Sequence, residues 1–511
     1  MEPGRAATRI VASVSVATRA EAAAVRDALA AERRDGADAC DLVELRADGW
    51  REEKDDLADA IRGLPLPAIA TVRARSEGGA FAGSDAERRA LLLAASRVAL
   101  FVDVEASAPF AAERFAPARK IVSRHEFAAT PADLEAAFRE LLARAPDAAL
   151  AKLAVTPVAS ADVARLAAFA RGGGGGGGPP RALVAMGDAG RVLRALSGKF
   201  GSALAFGSLP SHAATAPGQW SVRELAWQFG VREQTATTPV LAIVGRPIGH
   251  SLSPLLHGRL LRAAGLPHVF VPLVADRLDD ALALAPTLDL RGLSVTLPFK
   301  RDALRAARGA AAGFPWPPPE GAVNTLLRDD RGWLAANTDR IGFAAALSTR
   351  APPSSWRGRS VLVVGAGGAA RTCVAVLSEL GAVVTVAGRT PERAEELAAT
   401  FRARAVALGR AAVAAAPTFD LIVNATPVGM HPDVAASPLA GAAFRRGQTV
   451  FDLIYRPRAT QLLQDAARAG ADALGGLEMF LAQALAQFRL FTGREPDAAL
   501  ARATLEDALA S

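Results

Sequence analysis

The sequence predicts an α/β protein: an N-terminal (β/α)8 barrel, then a small α/β unit, then a doubly wound Rossmann unit. Three observations carry this. Eight β-like runs separated by helix-length segments fill residues 9–208. The alternation breaks at VREQTATT (Val231–Thr238), and a new strand starts at PVLAIVG. Further on, RSVLVVGAGGAARTCVAVL reads as strand, glycine turn and helix.

The eight runs are RIVASVSVAT, CDLVELRAD, LPAIATVR, LFVDVEA, KIVSRHEF, LAKLAVT, ALVAMGD and SALAFGS. Amphipathic Ala/Leu/Arg stretches between them are the pattern of a (β/α)8 barrel, whose chemistry sits at the C-terminal strand ends. Polar residues gather there. Glu44, Arg46 and Asp48 share one face at strand period two. Arg73 ends the third run, His125 ends the fifth, and Lys152 lies in the sixth. Glu44 and Arg46 read either as an interior ion pair or as part of a site. An apolar strand and nearby arginines would disfavour the Lys152 ammonium, leaving a neutral amine for Schiff-base formation with a ketone. His125 could then move protons at the adjacent carbon. A lone His is more often structural, and its placement beside Lys152 is what raises this one. Lysine is also scarce: of 59 Lys and Arg residues, only Lys54, Lys120, Lys152, Lys199 and Lys300 are Lys. Arg cannot release its proton near neutral pH, so Lys is expected where an amine must. The segment TVRARSEGGAFAG reads as a covering loop on the catalytic face. Gly172–Gly178 with Pro179 and Pro180 reads as a flexible loop on the opposite face.

The small α/β unit closes with the hairpin AVNTLLRDDRGWLAANTD, turning at Asp330–Gly332. In the Rossmann unit, Gly365, Gly367 and Ala370 stand in GxGxxA spacing. That spacing permits a tight turn with a pyrophosphate on the helix N-terminus. Later strands are AVVTVAG, FDLIVNAT and TVFDLIY, and helices follow from Leu477 to about Leu490 and from Pro496 to Leu509. Gly388-Arg389-Thr390 replaces the acid of an NAD enzyme. Arg389 would pair with a 2′-phosphate, favouring NADP; its alternative is a solvated helix start. Lys300 and Asp339 read as a proton relay to a bound alcohol or as a structural salt bridge. Ser251 and Ser253, in GRPIGHSLSP, either hold a substrate carboxylate or cap a helix.

The formal charge is +7, with a single Tyr and 5% aromatic residues. No Lys/Arg-rich block or interleaved stacking aromatic is present, which argues against nucleic acid; an anionic small substrate explains the balance. No apolar run is long and charge-free enough to span a bilayer, so no membrane association is expected. Cys40 and Cys373 read as reduced thiols. The first strand begins by about Arg9, leaving no room for a leader, so a cytoplasmic protein is expected.

Together the motifs resemble two known families. ELRAD, TVR…EGG, SRHEF, KLA, MGDAGRVLR and APGQ are similar, in order, to type I 3-dehydroquinate dehydratases. GHSLSP, VTLPFK, GAVNT, NTD, GAGGAA, GRT, NATPVGM, DLIYRP and GGLEMFLAQA resemble shikimate dehydrogenase. Their order matches the bifunctional dehydratase–dehydrogenase architecture. This resemblance implies a dehydratase barrel at 1–232 and a substrate-binding domain at 238–340. It further implies a Rossmann NADP domain at 341–475 and C-terminal helices at 476–511 packing back on the dehydrogenase domains.

The resemblance also implies roles. Lys152 would form the imine with 3-dehydroquinate, His125 would move the protons, and Glu77 would orient His125. Glu44, Arg46, Arg73, Arg194, Thr215 and Gln219 would bind hydroxyls and carboxylate. Lys300 and Asp339 would be the dehydrogenase pair, with Ser251, Ser253, Thr296, Asn324, Tyr455 and Gln483 on substrate. Gly365, Ala366, Gly367, Gly368, Ala369, Ala370, Arg389, Thr390, Asn424, Thr426, Met430 and Gly476 would hold NADP; no metal is implied. The implied activity converts 3-dehydroquinate through 3-dehydroshikimate to shikimate. Leu193, Thr215, Gly388 and Ser294 depart from the families' usual residues. Two rivals are an NAD-dependent catabolic quinate/shikimate dehydrogenase and a non-catalytic sensor. Intact Lys152, His125, Lys300 and Asp339 argue against the sensor.

Overall fold

The computed structural model describes residues 7–34, 37–172, 178–216, 218–249 and 251–510. Residues 1–6, most of the glycine run (173–177), Pro217 of APGQ and His250 of GHSLSP lie outside the described residues. Contacts divide the chain into two units, Met1–Val240 with Leu266–Leu290 and Leu241–Gly265 with Arg291–Ser511.

The first unit is built on eight parallel strands: β1 (Arg9–Ser15), β2 (Leu42–Arg46), β3 (Ala68–Thr71), β4 (Phe101–Glu105), β5 (Arg119–Glu126), β6 (Leu150–Val155), β7 (Arg181–Ala185) and β8 (Leu204–Gly207). The sheet order is β8-β1-β2-β3-β4-β5-β6-β7. Ala203 N–H donates to Arg181 O at 2.7 Å and Leu183 N–H to Ser202 Oγ at 3.1 Å, bringing the two ends together. Val11, Leu42, Ile69, Phe101, Ile121, Leu150 and Leu204 form one buried apolar cluster. Two residues further along the strands come Ser13, Glu44, Thr71, Asp103, Ser123, Lys152 and Phe206. Period-two alternation aims both rows to the same side, so an apolar floor lies under a layer that is polar except for Phe206.

Two of the scarce lysines are braces. Lys120 Nζ donates to Ala111 O and Glu113 O, both at 2.8 Å, and pairs with Asp147 at 2.6 Å. Lys199 Nζ donates to Ala236 O at 3.0 Å and Thr238 O at 2.6 Å. Lysine scarcity therefore does not by itself mark a reacting amine.

The second unit holds two sheets. One includes, as successive neighbours, Val240–Gly245, Leu290–Val295, Thr325–Asp329, Gly332–Ala336 and Gly309–Ala310. Its hairpin closes where the sequence places it, with Asp329 opposite Gly332. The other is parallel, in the order Arg404–Ala407, Val383–Gly388, Ser360–Val364, Leu421–Asn424, Thr449–Asp452, Asp472–Leu474. This order reverses direction beside Ser360–Val364, and ligands of doubly wound sheets bind at such a switch point. Helices Asp339–Ser348 and Leu477–Thr492 pack on each other. No helix among the described residues is long and apolar enough to cross a membrane.

Candidate active sites

In the barrel, Lys152 is 5% exposed and its Nζ lies 3.1 Å from Asp103 Oδ2 and 3.4 Å from Glu44 Oε1. The Phe206 ring closes another side, its centroid 4.2 Å from Nζ. Carboxylates touch the amine, and the arginines expected nearby stand one step behind them. Arg73 Nη2 pairs with Asp103 Oδ1 at 3.0 Å, and Arg46 pairs with Asp48 at 2.5 Å. Ser123 Oγ donates to Asp103 Oδ1 at 2.6 Å, and Ser13 and Thr71 hydroxyls donate to Glu44. Burial alone would raise the Asp103 pKa, but Arg73 and Lys152 outweigh it and hold the carboxyl well below its usual range. Glu44 is likewise lowered, its burial overcome by Lys152 and Arg46.

His125 lies two residues past Ser123 on β5, and Ser123 pairs with Lys152 on β6. Its Nδ1 is 3.1 Å from Glu77 Oε2, which also accepts the His125 backbone N–H at 3.1 Å. With a carboxylate as acceptor, Nδ1 carries the hydrogen and Nε2 keeps its lone pair. Burial first, then Arg73 and Lys152, push the His125 pKa well below 6.5, so the ring is neutral and able to accept a proton. Glu77 stands on the short 3-10 turn Arg75–Glu77 of the expected covering loop. That loop folds tightly on the strand end. A Cβ at Gly79 would sit 2.1 Å from Arg73 O, so only glycine fits.

Thr215 Oγ1 donates to Ser13 Oγ at 2.9 Å, and its N–H donates to Gln219 Oε1 at 2.9 Å. Arg194 is buried, donates to Phe206 O at 3.1 Å, and has its pKa lowered to about 10 by burial and then Arg191. Asp103, Ser123, Ser13 and Thr71 also belong to this site, although the sequence alone did not single them out. Asp103 and Glu105 in LFVDVEA carry the same period-two charge signal as Glu44 and Arg46, which would have found them.

In the second unit, Lys300 starts helix Lys300–Ala306 and its Nζ pairs with Asp339 Oδ2, at the start of helix Asp339–Ser348. Asn324 Nδ2 donates to Asp339 Oδ1 and to Thr338 Oγ1, both at 2.9 Å, and reaches Gln483 Oε1 at 3.4 Å. Ser251 Oγ accepts the Ser253 N–H at 3.3 Å and is hydrogen-bonded to Tyr455, whose ring stacks on Phe480 at 4.5 Å. Burial raises the Tyr455 pKa, keeping its hydroxyl protonated. Thr296 N–H donates to Val244 O at 3.0 Å. Ser294 donates to the buried Gln487, which in turn donates to Asn324 O.

A dinucleotide fits the Rossmann turn. Gly365 has φ +117° with Ala425 O 3.2 Å from where a Cβ would be; Gly367 faces open space, and helix Gly368–Glu379 has no side-chain cap on its first N–H groups. Those features leave a cradle for a pyrophosphate. A Cβ on Gly368 would lie 3.1 Å from Lys300 Cδ, so the turn and the Lys300–Asp339 pair adjoin. Arg389 and Thr390 are exposed at the end of Val383–Gly388, while Asn424, Thr426 and Met430 line the next loop. Gly388 lacks a side chain because Ala394 fills its space, 2.8 Å from a would-be Cβ. Gly476 N–H donates to Ile454 O at 3.1 Å.

Residues 14–235 match the family described as Type I 3-dehydroquinase, and residues 243–326 the Shikimate dehydrogenase substrate binding domain. Residues 347–458 match Shikimate / quinate 5-dehydrogenase, and 476–506 the Shikimate 5'-dehydrogenase C-terminal domain. Over 477 residues the chain is 35% identical to the chloroplastic bifunctional 3-dehydroquinate dehydratase/shikimate dehydrogenase of Arabidopsis thaliana, covering 89% of this chain and 78% of that one. The chain belongs to the bifunctional 3-dehydroquinate dehydratase/shikimate dehydrogenase family. This bifunctional enzyme thus joins a lyase and an oxidoreductase. Its second half is also 38% identical to a shikimate dehydrogenase (NADP(+)) of Methanothermobacter thermautotrophicus, covering 51% of this chain and 94% of that one. A solved shikimate 5-dehydrogenase from Thermus thermophilus, in complex with NADP(H) and shikimate, is 35% identical. It covers 53% of this chain and all of that one, with a TM-score of 0.47.

Proposed function

We propose that the enzyme dehydrates 3-dehydroquinate in its barrel and reduces the product, 3-dehydroshikimate, to shikimate with NADPH in its second half. The observation that carries this is that each unit holds a lysine, ion-paired to an aspartate, beside polar groups suited to a hydroxylated acid. Lys152 Nζ, in its neutral form, attacks the ring ketone, and the ketone oxygen leaves as water to give an imine. His125 Nε2 takes the proton from the carbon next to the imine, which serves as the electron sink. The hydroxyl on the following carbon departs with a proton returned by His125, as water. Hydrolysis of the imine consumes one water and frees Lys152, so one water is lost overall. Glu77 holds the His125 tautomer. Arg46, Arg73, Arg194, Glu44, Thr215 and Gln219 hold the substrate's carboxylate and hydroxyls.

In the second half, bound NADPH supplies the hydride. Lys300 delivers the proton to the ketone oxygen, and Asp339, fixed by Asn324, orients the ammonium. Ser251, Ser253, Thr296, Asn324, Tyr455 and Gln483 hold the substrate. The Gly365–Ala370 turn, Thr390, Asn424, Thr426, Met430 and Gly476 hold the dinucleotide. Exposed Arg389 takes the 2′-phosphate and selects NADP over NAD. The domains on this reading are 1–232, 238–340, 341–475 and 476–511, and the buried free thiols Cys40 and Cys373 suit a cytoplasmic site of action. A coupled assay from 3-dehydroquinate and NADPH tests the whole. The wild type oxidises NADPH, and Lys152→Ala does so only when 3-dehydroshikimate is supplied. Turnover of 3-dehydroquinate by that variant would overturn the reading.

A further inference from the structure

Asp452 and Asn424 end neighbouring parallel strands and stand directly opposite each other. Both are 0% exposed. Asp452 Oδ1 accepts from Asn424 Nδ2 at 3.0 Å and from Ile454 N–H at 3.1 Å, and Oδ2 accepts from Thr460 Oγ1 at 2.7 Å. None of these three donors carries a charge. Asn424 passes the contact on: its Oδ1 accepts Thr426 N–H at 3.0 Å and Thr426 Oγ1 at 2.7 Å, and its Nδ2 reaches Val428 O at 3.3 Å. On the other side, one residue past Ile454, stands Tyr455, tied to Ser251 and stacked on Phe480. Burial raises the Asp452 pKa to about 6. A buried carboxylate without a cation partner is costly, and it is retained where several donors must be satisfied at once. Only a carboxylate offers two oxygens that both accept.

We propose that Asp452 is a positioning residue of the dehydrogenase, locking the Asn424–Met430 loop to the segment that carries Tyr455. It fixes the dinucleotide's loop and the substrate's tyrosine at one spacing, without touching either ligand. This rests on the assignment of Asn424–Met430 to NADP and of Tyr455 to substrate.

The test is Asp452→Asn in the full chain, which keeps one accepting oxygen and turns an NH2 toward Thr460. Calorimetric titration with NADPH is expected to show a dissociation constant raised about tenfold, the cost of one hydrogen bond to a charged group. The KM for 3-dehydroshikimate rises with it, kcat at saturation changes less, and barrel dehydration stays at the wild-type rate. Thr460→Val removes one donor and raises the same two constants by about threefold. A merely structural role would lower apparent kcat and leave both constants at wild type; that result overturns the proposal. If Asp452→Asn fails to fold, as loss of the second unit's cooperative unfolding transition would show, Thr460→Val decides by the same criterion. A wild-type chain that does not bind NADPH would instead overturn the functional reading on which the proposal rests.

Discussion

In the barrel, Lys152 lies between two carboxylates that are themselves held by Arg73, Ser123, Ser13 and Thr71, a lattice of alternating charges over an apolar floor. In the second unit, Lys300 meets one carboxylate, and the groups behind it are amides and hydroxyls: Asn324, Thr338, Gln483 and Gln487. The contrast follows from the work proposed for each site. A lyase that builds an imine and expels water must hold changing charge at several atoms with its own side chains. A reductase that borrows its hydride needs one proton donor, held still.

Removing each lysine separately puts this contrast under the most severe strain. Lys152→Ala is expected to lower dehydratase kcat by more than about a thousandfold, with dehydrogenase rates unchanged when 3-dehydroshikimate is supplied directly. Lys300→Met should do the converse, lowering dehydrogenase kcat by about a hundredfold or more. Loss of both activities in either variant would mean that the sites are not independent.

The lattice and the amide network should also differ in what they contribute to the fold. Asp103→Asn leaves Arg73 and Lys152 facing an uncharged group and is expected to cost about 3 kcal/mol of barrel stability. Asn324→Ala should cost nearer 1 kcal/mol in its own unit. Denaturant titration followed by each activity measures both, and equal costs would erase the distinction. Arg389→Ala is a smaller step: KM for NADPH should rise about tenfold while KM for NADH stays put. A parallel rise in both would remove Arg389 from cofactor selection.

The mildest effect is in the pH profile. Because burial, Arg73 and Lys152 lower the His125 pKa, the ring stays neutral as pH falls through 6.5, and its imidazole NMR signals should stay level there and move only below. A His125 titration midpoint at 6.5 or above would contradict this. In the unfolded chain the same ring takes its proton near 6.5, so its contribution to stability is intact above that pH and shrinks as pH falls toward the lowered folded value.

Much of the fold was legible because strand runs and helix stretches are cleanly separated in this Ala-rich chain. The Gly365–Ala370 turn announced the Rossmann unit by its spacing. Strands Arg404–Ala407 and Asp472–Leu474 were not legible: both are sheet edges, short and partly exposed, and their residues carry little apolar signal. In the barrel site, single residues could be picked by alternation along one strand. Their partners could not, because Asp103 and Glu44 are 49 and 108 positions from Lys152 and meet it only across the closed sheet. For the same reason the buried Lys120 and Lys199 were indistinguishable in sequence from a reacting amine.

The chemistry assigned to the barrel requires Lys152 to become covalently joined to the substrate. Borohydride added during turnover of 3-dehydroquinate would fix such an imine as a stable amine, and mass spectrometry of the digest would locate it. An adduct is expected on the peptide containing Lys152, absent from Lys152→Ala and from enzyme treated without substrate. Sustained dehydration with Lys152 unmodified would contradict it.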